Sequence, residues 1–278
     1  MYPRGASAGA IDRMTCYLCI GEEEDGAGMT HFQRIEAFLT SLGGESIDTR
    51  LPRIEGKRAD YLLRDRRVIV EIKSLKDGRV AAFEKALWKT FPRLGAPIPI
   101  FYGDWDHERI IGTRPNRDEI KAAIYKAIMS SVEDAFESAN RQIRAMRETF
   151  AIPDAHGVVI FVIEDNYFLD PEKLQHKIGN LFAKRKTPGG PPRYPDVDHV
   201  FIPTAAHFYV TEHGPTYPVM SWSPATTPRR EGLQEVADLL LERWAAFNGV
   251  AVLRPTPDEL AGMELRPRSI PDIKFPWD

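Results

Sequence analysis

The chain has 278 residues, 43% of them hydrophobic, with a formal net charge of −3 and a pI near 6.2. This balance excludes a uniformly basic nucleic-acid coat, so any affinity for nucleic acid has to come from local clusters. Two cysteines exclude a disulfide framework, and no stretch approaches the roughly 18 apolar residues of a membrane span, so we expect a cytoplasmic protein without a membrane partner.

Residues 1–29 are rich in glycine and acidic side chains, and we expect them to form a poorly ordered leader without the apolar segment of a signal peptide. Cys16 and Cys19 have the spacing of half a zinc site. No second cysteine pair exists, and His31 is the only nearby histidine. We therefore interpret them as structural or chance cysteines, with a structural zinc site as the remaining alternative.

A first amphipathic helix is predicted over residues 30–42, with Thr30 as its N-cap and Gly43 as its end. Its apolar stripe consists of Phe32, Ile35, Leu39 and Leu42. Glu36 lies within this stripe, and a carboxylate there is costly unless it is paired or bound to a metal. The alternative is an ordinary salt bridge to a base such as Arg34 or Arg50.

A β-hairpin is predicted next, because the apolar runs 61–63 and 68–72 are separated by a polar tetrad. A two-residue loop and a four-residue loop give the same register, with Asp60 directly opposite Glu71. Opposed residues have Cβ atoms roughly 4.5–5.5 Å apart, close enough for two carboxylates to share one cation. Period-two alternation places Lys73 on the same face as Glu71.

These residue types suit Mg²⁺ or Mn²⁺, which prefer hard oxygen ligands and can bind a substrate phosphate. Lys73 is a candidate for orienting or deprotonating the attacking water. The competing interpretation is an ordinary amphipathic hairpin, in which Glu71 and Lys73 form a surface ion pair.

A helix with Glu36, then Asp60, then Glu71 and Lys73 resembles the PD-(D/E)xK nuclease superfamily. The resemblance implies a restriction-endonuclease-like α/β core, in which a helix, a three-stranded meander, a helix and a strand build a central mixed sheet flanked by helices. It also implies metal-dependent cleavage of DNA, less often of RNA. Ala59 stands where the family usually has proline, which removes no ligand.

A long helix is predicted over residues 118–150, followed by a buried strand at 157–163. The family commonly carries a polar or basic residue on this helix facing the site, so Arg141, Gln142 and Arg144 are candidates for substrate binding. Each is as readily explained as part of a solvated helical face.

The remaining segments complete the predicted organisation, with a nuclease-like core at 30–163 that carries an inserted loop region at about 76–117. Residues 164–253 have the pattern of an α/β extension of the same sheet or of a small subdomain. The predicted elements there are a helix at 171–186, strands at 200–202, 207–210 and 219–222, and a helix with an apolar face from Leu233 to Trp244. The Pro-rich tail, 254–278, is a candidate for wrapping the surface or for assembly into a homodimer.

The leading hypothesis is therefore a Mg²⁺- or Mn²⁺-dependent nuclease acting on DNA. Asp60 and Glu71 are its expected metal ligands, the Ile72 carbonyl is a further one, Glu36 is an outer or second-metal ligand, and Lys73 lies at the water. The alternative is a catalytically silent, nuclease-like module that binds nucleic acid or a protein partner.

Overall fold

The structure is a computed structural model. It describes residues 12–19, 29–50, 58–75, 88–95, 116–163, 169, 171–212, 214–224, 226–227, 229–256, 258–259 and 262–267. Most of the expected inserted region and the end of the Pro-rich tail lie outside the described residues. Within the inserted region, residues 88–93 are helical.

Ten strands of the described chain join in one mixed sheet. They are β1 (Asp12–Cys19), β2 (Glu45–Ser46), β3 (Tyr61–Leu63), β4 (Val68–Ser74), β5 (His156–Val162), β6 (His199–Pro203), β7 (His207–Thr211), β8 (Gly214–Ser223), β9 (Val252–Leu253) and β10 (Glu264–Pro267). The main path runs β10-β7-β8-β6-β5-β4-β3-β2, and β1 pairs with β8 and β9. β4, β5 and β6 are parallel neighbours, and the other pairs are antiparallel.

Helices pack on both faces of this sheet. They are α1 (His31–Ser41), α2 (Ile47–Arg50), α3 (Arg117–Phe150), α4 (Pro171–Ala183) and α5 (Leu233–Phe247). Apolar residues of α1 and α5 share one buried cluster with Val68, Val70 and Ile72, whereas those of α3 and α4 share another with Leu62 and Ile69. The predicted α/β class with a central mixed sheet is confirmed. Among the described residues no helix combines the length and hydrophobicity that crossing a membrane requires.

The predicted helix boundaries follow from their capping residues. Thr30 accepts a hydrogen bond from the Gln33 N–H, and the Gln33 side chain accepts one from the Thr30 N–H, which completes a capping box. Gly43 ends α1 with φ 75°, a left-handed conformation that glycine adopts without strain. α3 begins one residue before the predicted start, and α4 begins at Pro171 but ends at Ala183 rather than at 186.

Residues 12–19 were expected to belong to a poorly ordered leader, but they form a strand. β1 pairs antiparallel with β8 over its whole length, so this segment belongs to the sheet. The strands after residue 164 also join the sheet that contains β3 and β4, which favours an extension of that sheet over a separate subdomain.

A buried ionic network anchors the last turns of α3 to the start of β5 and β6. The Arg147 guanidinium lies 2.8 Å from the Asp196 carboxylate and 2.7 Å from that of Asp198, and its Nε donates to the Ala155 carbonyl at 2.9 Å. Arg229 contacts the same Asp198 at 2.7 Å. These contacts fix α3 along its axis relative to β4 and β5.

Candidate active site

The hairpin has the predicted register and the four-residue form of the predicted loop. Tyr61 pairs with Val70 and Leu63 with Val68, so residues 64–67 form the loop. Three consecutive loop residues have positive φ, namely Arg64, Asp65 and Arg66. Continuing the register by one residue beyond β3 places Asp60 opposite Glu71.

Asp60 and Glu71 form a carboxyl pair on the face of the sheet that α3 covers. The two side chains lie within hydrogen-bonding range of each other. One oxygen of Asp60 accepts the Ile72 N–H at 2.6 Å. Glu71 is only 2% exposed, and its Oε2 has no hydrogen-bond partner in the described part of the structure. A buried carboxylate oxygen without a donor is costly, so this position favours a proton or a cation.

The electrostatics of the pair follow from this burial. Burial raises the pKa of Glu71 to about 8, the charge of Asp60 adds to the rise, and Lys73 opposes it. Burial also raises the pKa of Asp60, against the stabilising Ile72 N–H and the charge of Lys73. Without a cation, the pair therefore holds a proton at neutral pH.

Lys73 and Gln142 complete the surroundings of the pair. The Lys73 ammonium contacts the Glu71 carboxylate and donates to Gln142 Oε1 at 2.6 Å. Gln142 Oε1 also accepts from the Ser138 hydroxyl at 2.9 Å, and its Nε2 donates to the Arg58 carbonyl. One helical side chain thus links the end of β4 to the segment that carries Asp60. Ser138 was not predicted, although its spacing of four residues from Gln142 is the signal that identifies it.

The structure brings Gln142 to the carboxyl pair but places Arg141 and Arg144 elsewhere. Arg141 is exposed and pairs with Glu137, one helical turn away, at 3.1 Å. Arg144 contacts Asp196 at 2.7 Å, in the ionic network at the start of β6. Of the three substrate-binding candidates on α3, only Gln142 therefore contacts a residue of the site.

Glu36 lies on α1, which packs on the opposite face of the sheet from Glu71. The described structure places it near Tyr61, where its charge helps burial to raise the pKa of the tyrosine. The helical stripe predicted that Glu36 faces the sheet side of α1, but α1 covers the face that carries Val70 and Ile72. The structure thus brings together Asp60, Glu71 and Lys73 without Glu36.

Within the described residues, no group of three or more histidine, cysteine, aspartate or glutamate side chains is arranged to hold a metal. A cation at the carboxyl pair would therefore have two side-chain ligands. Its donor set of hard oxygens and its orphaned Glu71 Oε2 nevertheless fit a small divalent cation. Further ligands have to come from backbone, water or substrate, which is the usual situation for Mg²⁺.

A cavity of about 980 Å³ lies at the hairpin loop, at the opposite end of β4 from Lys73. Its basic lining residues are Arg64, Arg66, Arg67, His156 and Arg229, and its acidic ones are Asp65, Asp154, Glu231 and Glu235. Burial lowers the pKa of His156, so four guanidinium groups face four carboxylates, and Arg229 already contacts the buried Asp198. We therefore take the carboxyl pair, and not this cavity, as the candidate active site.

The raised pKa of Glu71 predicts a specific dependence of stability on pH. In the metal-free protein, Glu71 keeps its proton in the folded state up to about pH 8, whereas the unfolded chain releases this proton near pH 4.5. Between these two pH values only the folded state holds the proton. The free energy of unfolding contributed by this group therefore falls as pH rises through that window. We expect Glu71→Gln to reduce the loss of stability between about pH 5 and about pH 8 by about 2–4 kcal/mol.

Urea unfolding in chelator, at both pH values, measures this difference. Glu137→Gln is the matched control because Glu137 is a half-exposed glutamate on α3 that pairs with Arg141 and Arg193. Equal pH dependence in the parent protein and Glu71→Gln would show that Glu71 is ionised throughout this range.

No protein-family model, curated protein or solved structure matches this chain.

Proposed function

We propose that this protein is a Mg²⁺- or Mn²⁺-dependent nuclease with a restriction-endonuclease-like core, and that it hydrolyses phosphodiester bonds in DNA. Asp60 and Glu71 hold the cation in this proposal, with the Ile72 carbonyl as a further ligand. The observation that carries it is the buried contact of two carboxyl groups, one of which has an oxygen that no described residue supplies with a hydrogen-bond donor.

Two like charges in contact away from water destabilise the fold unless a proton or cation lies between them. The neighbouring ammonium of Lys73 contacts Glu71 but leaves Glu71 Oε2 unsatisfied. When bound, a divalent cation stabilises the charge that develops on the transferring phosphoryl group and lowers the pKa of a bound water.

The Ile72 backbone is oriented toward the same position. Its N–H donates to the Asp60 carboxylate, so this peptide edge faces the side of β4 on which β3 lies. The N–H and C=O of one strand residue point to the same side of the strand. Because β3 begins only at Tyr61, the Ile72 carbonyl lies beyond its paired residues. This geometry supports Ile72 as a backbone ligand.

Lys73 acts on the attacking water, and Gln142 holds Lys73 in position. In hydrolysis, the water oxygen forms a bond to phosphorus, the bond from phosphorus to the leaving oxygen breaks, the water loses a proton and the leaving oxygen gains one. The Lys73 ammonium, held between Glu71 and Gln142, is placed to orient that water and to donate to a phosphate oxygen. Gln142 keeps the ammonium at the end of β4.

The order of elements supports the same proposal. α1 is followed by β2, β3 and β4, which are consecutive antiparallel neighbours, and then by α3 and the parallel strand β5. A helix, a three-stranded meander, a further helix and a strand are also the elements that the PD-(D/E)xK resemblance implies, with the short helix α2 added here between β2 and β3. Asp60 directly precedes β3, and Glu71 and Lys73 lie on β4, so the candidate residues come from the second and third strands of this meander.

Incubation with supercoiled plasmid, linear duplex, single-stranded DNA and RNA tests the proposal, each with Mg²⁺, Mn²⁺ or chelator. We expect cleavage of at least one DNA substrate that requires the cation and stops in chelator. Binding in a gel-shift assay without cleavage under any condition would instead identify a silent nucleic-acid-binding module.

A further inference from the structure

A third carboxylate, Asp48, lies at the edge of the carboxyl pair. The Ile47 N–H at the start of α2 donates to the Asp60 carbonyl at 2.9 Å, and Ser46 pairs with Tyr61 in the adjoining strands. α2 therefore begins directly beside Asp60, and Asp48 is the next residue along it.

The side chain of Asp48 lies at the surface, near Arg58. It is 76% exposed, and its closest ion pair is to Arg58 Nε at 3.7 Å, beyond the distance of a direct hydrogen bond. Arg58 precedes Asp60 by two residues, and its carbonyl accepts from Gln142. Asp48 thus lies beside the segment that carries the first carboxylate of the pair.

A cation at the pair would need ligands beyond its two carboxylates. The buried Glu71 Oε2, which has no partner among the described residues, indicates independently that a ligand belongs at the pair. Mg²⁺ and Mn²⁺ favour six oxygen ligands and keep several waters, which outer carboxylates hold in place. Glu36 was expected to fill such an outer position but lies on the other face of the sheet.

We infer that Asp48 is the outer carboxylate of the proposed cation site and that it binds the cation through a coordinated water. This inference rests on the proposed function, because it takes Asp60 and Glu71 as the direct ligands. It replaces Glu36 on α1 by a residue on the short helix α2, whose Ile47 packs in the buried cluster on the face that α3 covers.

Titration calorimetry of the full chain with MnCl₂ tests this inference. We expect Asp48→Asn to weaken Mn²⁺ binding roughly ten- to hundredfold, as losing an outer-shell carboxylate does. Asp118→Asn is the matched control, because Asp118 is 89% exposed at the far end of α3. Its affinity should stay within about twofold of the parent protein, since distant surface charges are screened. Thermal unfolding in chelator establishes that each variant is folded.

Two further variants separate the inference from the function on which it rests. Asp60→Asn should remove stoichiometric Mn²⁺ uptake, and its failure to do so would overturn the proposed cation site as a whole. Asp48→Asn binding as tightly as Asp118→Asn, while Asp60→Asn has lost binding, would overturn the role of Asp48 alone. A larger loss in Glu36→Gln than in Asp48→Asn would return the outer position to Glu36.

Discussion

Asp60→Asn and Lys73→Ala should each lower Mg²⁺-dependent cleavage roughly 10²–10⁴-fold without unfolding the protein. In the parent protein, the Ile72 N–H donates to an Asp60 carboxylate oxygen at 2.6 Å. Asparagine keeps an oxygen that can accept this hydrogen bond, but it removes the negative charge that holds the cation. Alanine at position 73 removes the ammonium beside Glu71 and Gln142. Initial cleavage rates on the best DNA substrate measure both effects.

Mn²⁺ binding separates the two roles. Asp60→Asn should lose cleavage together with Mn²⁺ uptake, because Asp60 is a ligand. Lys73→Ala should lose cleavage but retain Mn²⁺ uptake. Lys73 contacts the Glu71 carboxylate and orients the water in this proposal, but it is not a ligand of the cation. Lys126→Ala, at an exposed position on α3, is the control for a lysine removed from the surface. Cleavage by both site variants at the rate of Lys126→Ala would overturn the site assignment.

The hairpin could be predicted from sequence because its register depends only on local geometry. Side chains alternate with period two, and both loop lengths place Asp60 opposite Glu71. The ends of α1 could be predicted for the same reason, because the residues that determine them are close in sequence. The capping box of Thr30 and the left-handed Gly43 each lie within one turn of the helix. The class of fold followed from these elements.

The position of Glu36 could not be predicted in the same way. The apolar stripe of α1 identifies the side of the helix that is buried, but not which face of the sheet it covers. That choice depends on packing against Trp244 and Leu240 of α5, which lie far along the chain. The same limit explains β1, whose partner strand β8 is close to the other end of the sequence.

The choice among Arg141, Gln142 and Arg144 depended on rotation of one long helix. Successive residues point about 100° apart, so only one of these neighbouring side chains can point at Lys73. The buried apolar residues of α3, among them Ile143 and Met146, set that rotation. Arg147 and the aspartates of the ionic network were not predicted, because their partners come from three separate segments.

Arg147→Ala should lower the free energy of unfolding by about 3–5 kcal/mol, because it removes one partner from a buried set of charges. Arg147 is 6% exposed and contacts both Asp196 and the fully buried Asp198. Its loss also leaves the Ala155 carbonyl without the Nε donor at 2.9 Å. Urea unfolding at neutral pH measures the change.

Arg144→Ala is the matched control for this prediction, since Arg144 contacts the same Asp196 at 2.7 Å but is 45% exposed. Solvent screens such a pair, so we expect a loss of about 1 kcal/mol or less. The network also fixes α3, and with it Gln142, along the sheet. Arg147→Ala should therefore lower cleavage even where most molecules remain folded, whereas Arg144→Ala should not. Equal losses of stability in the two variants would show that burial of the network contributes little to the fold.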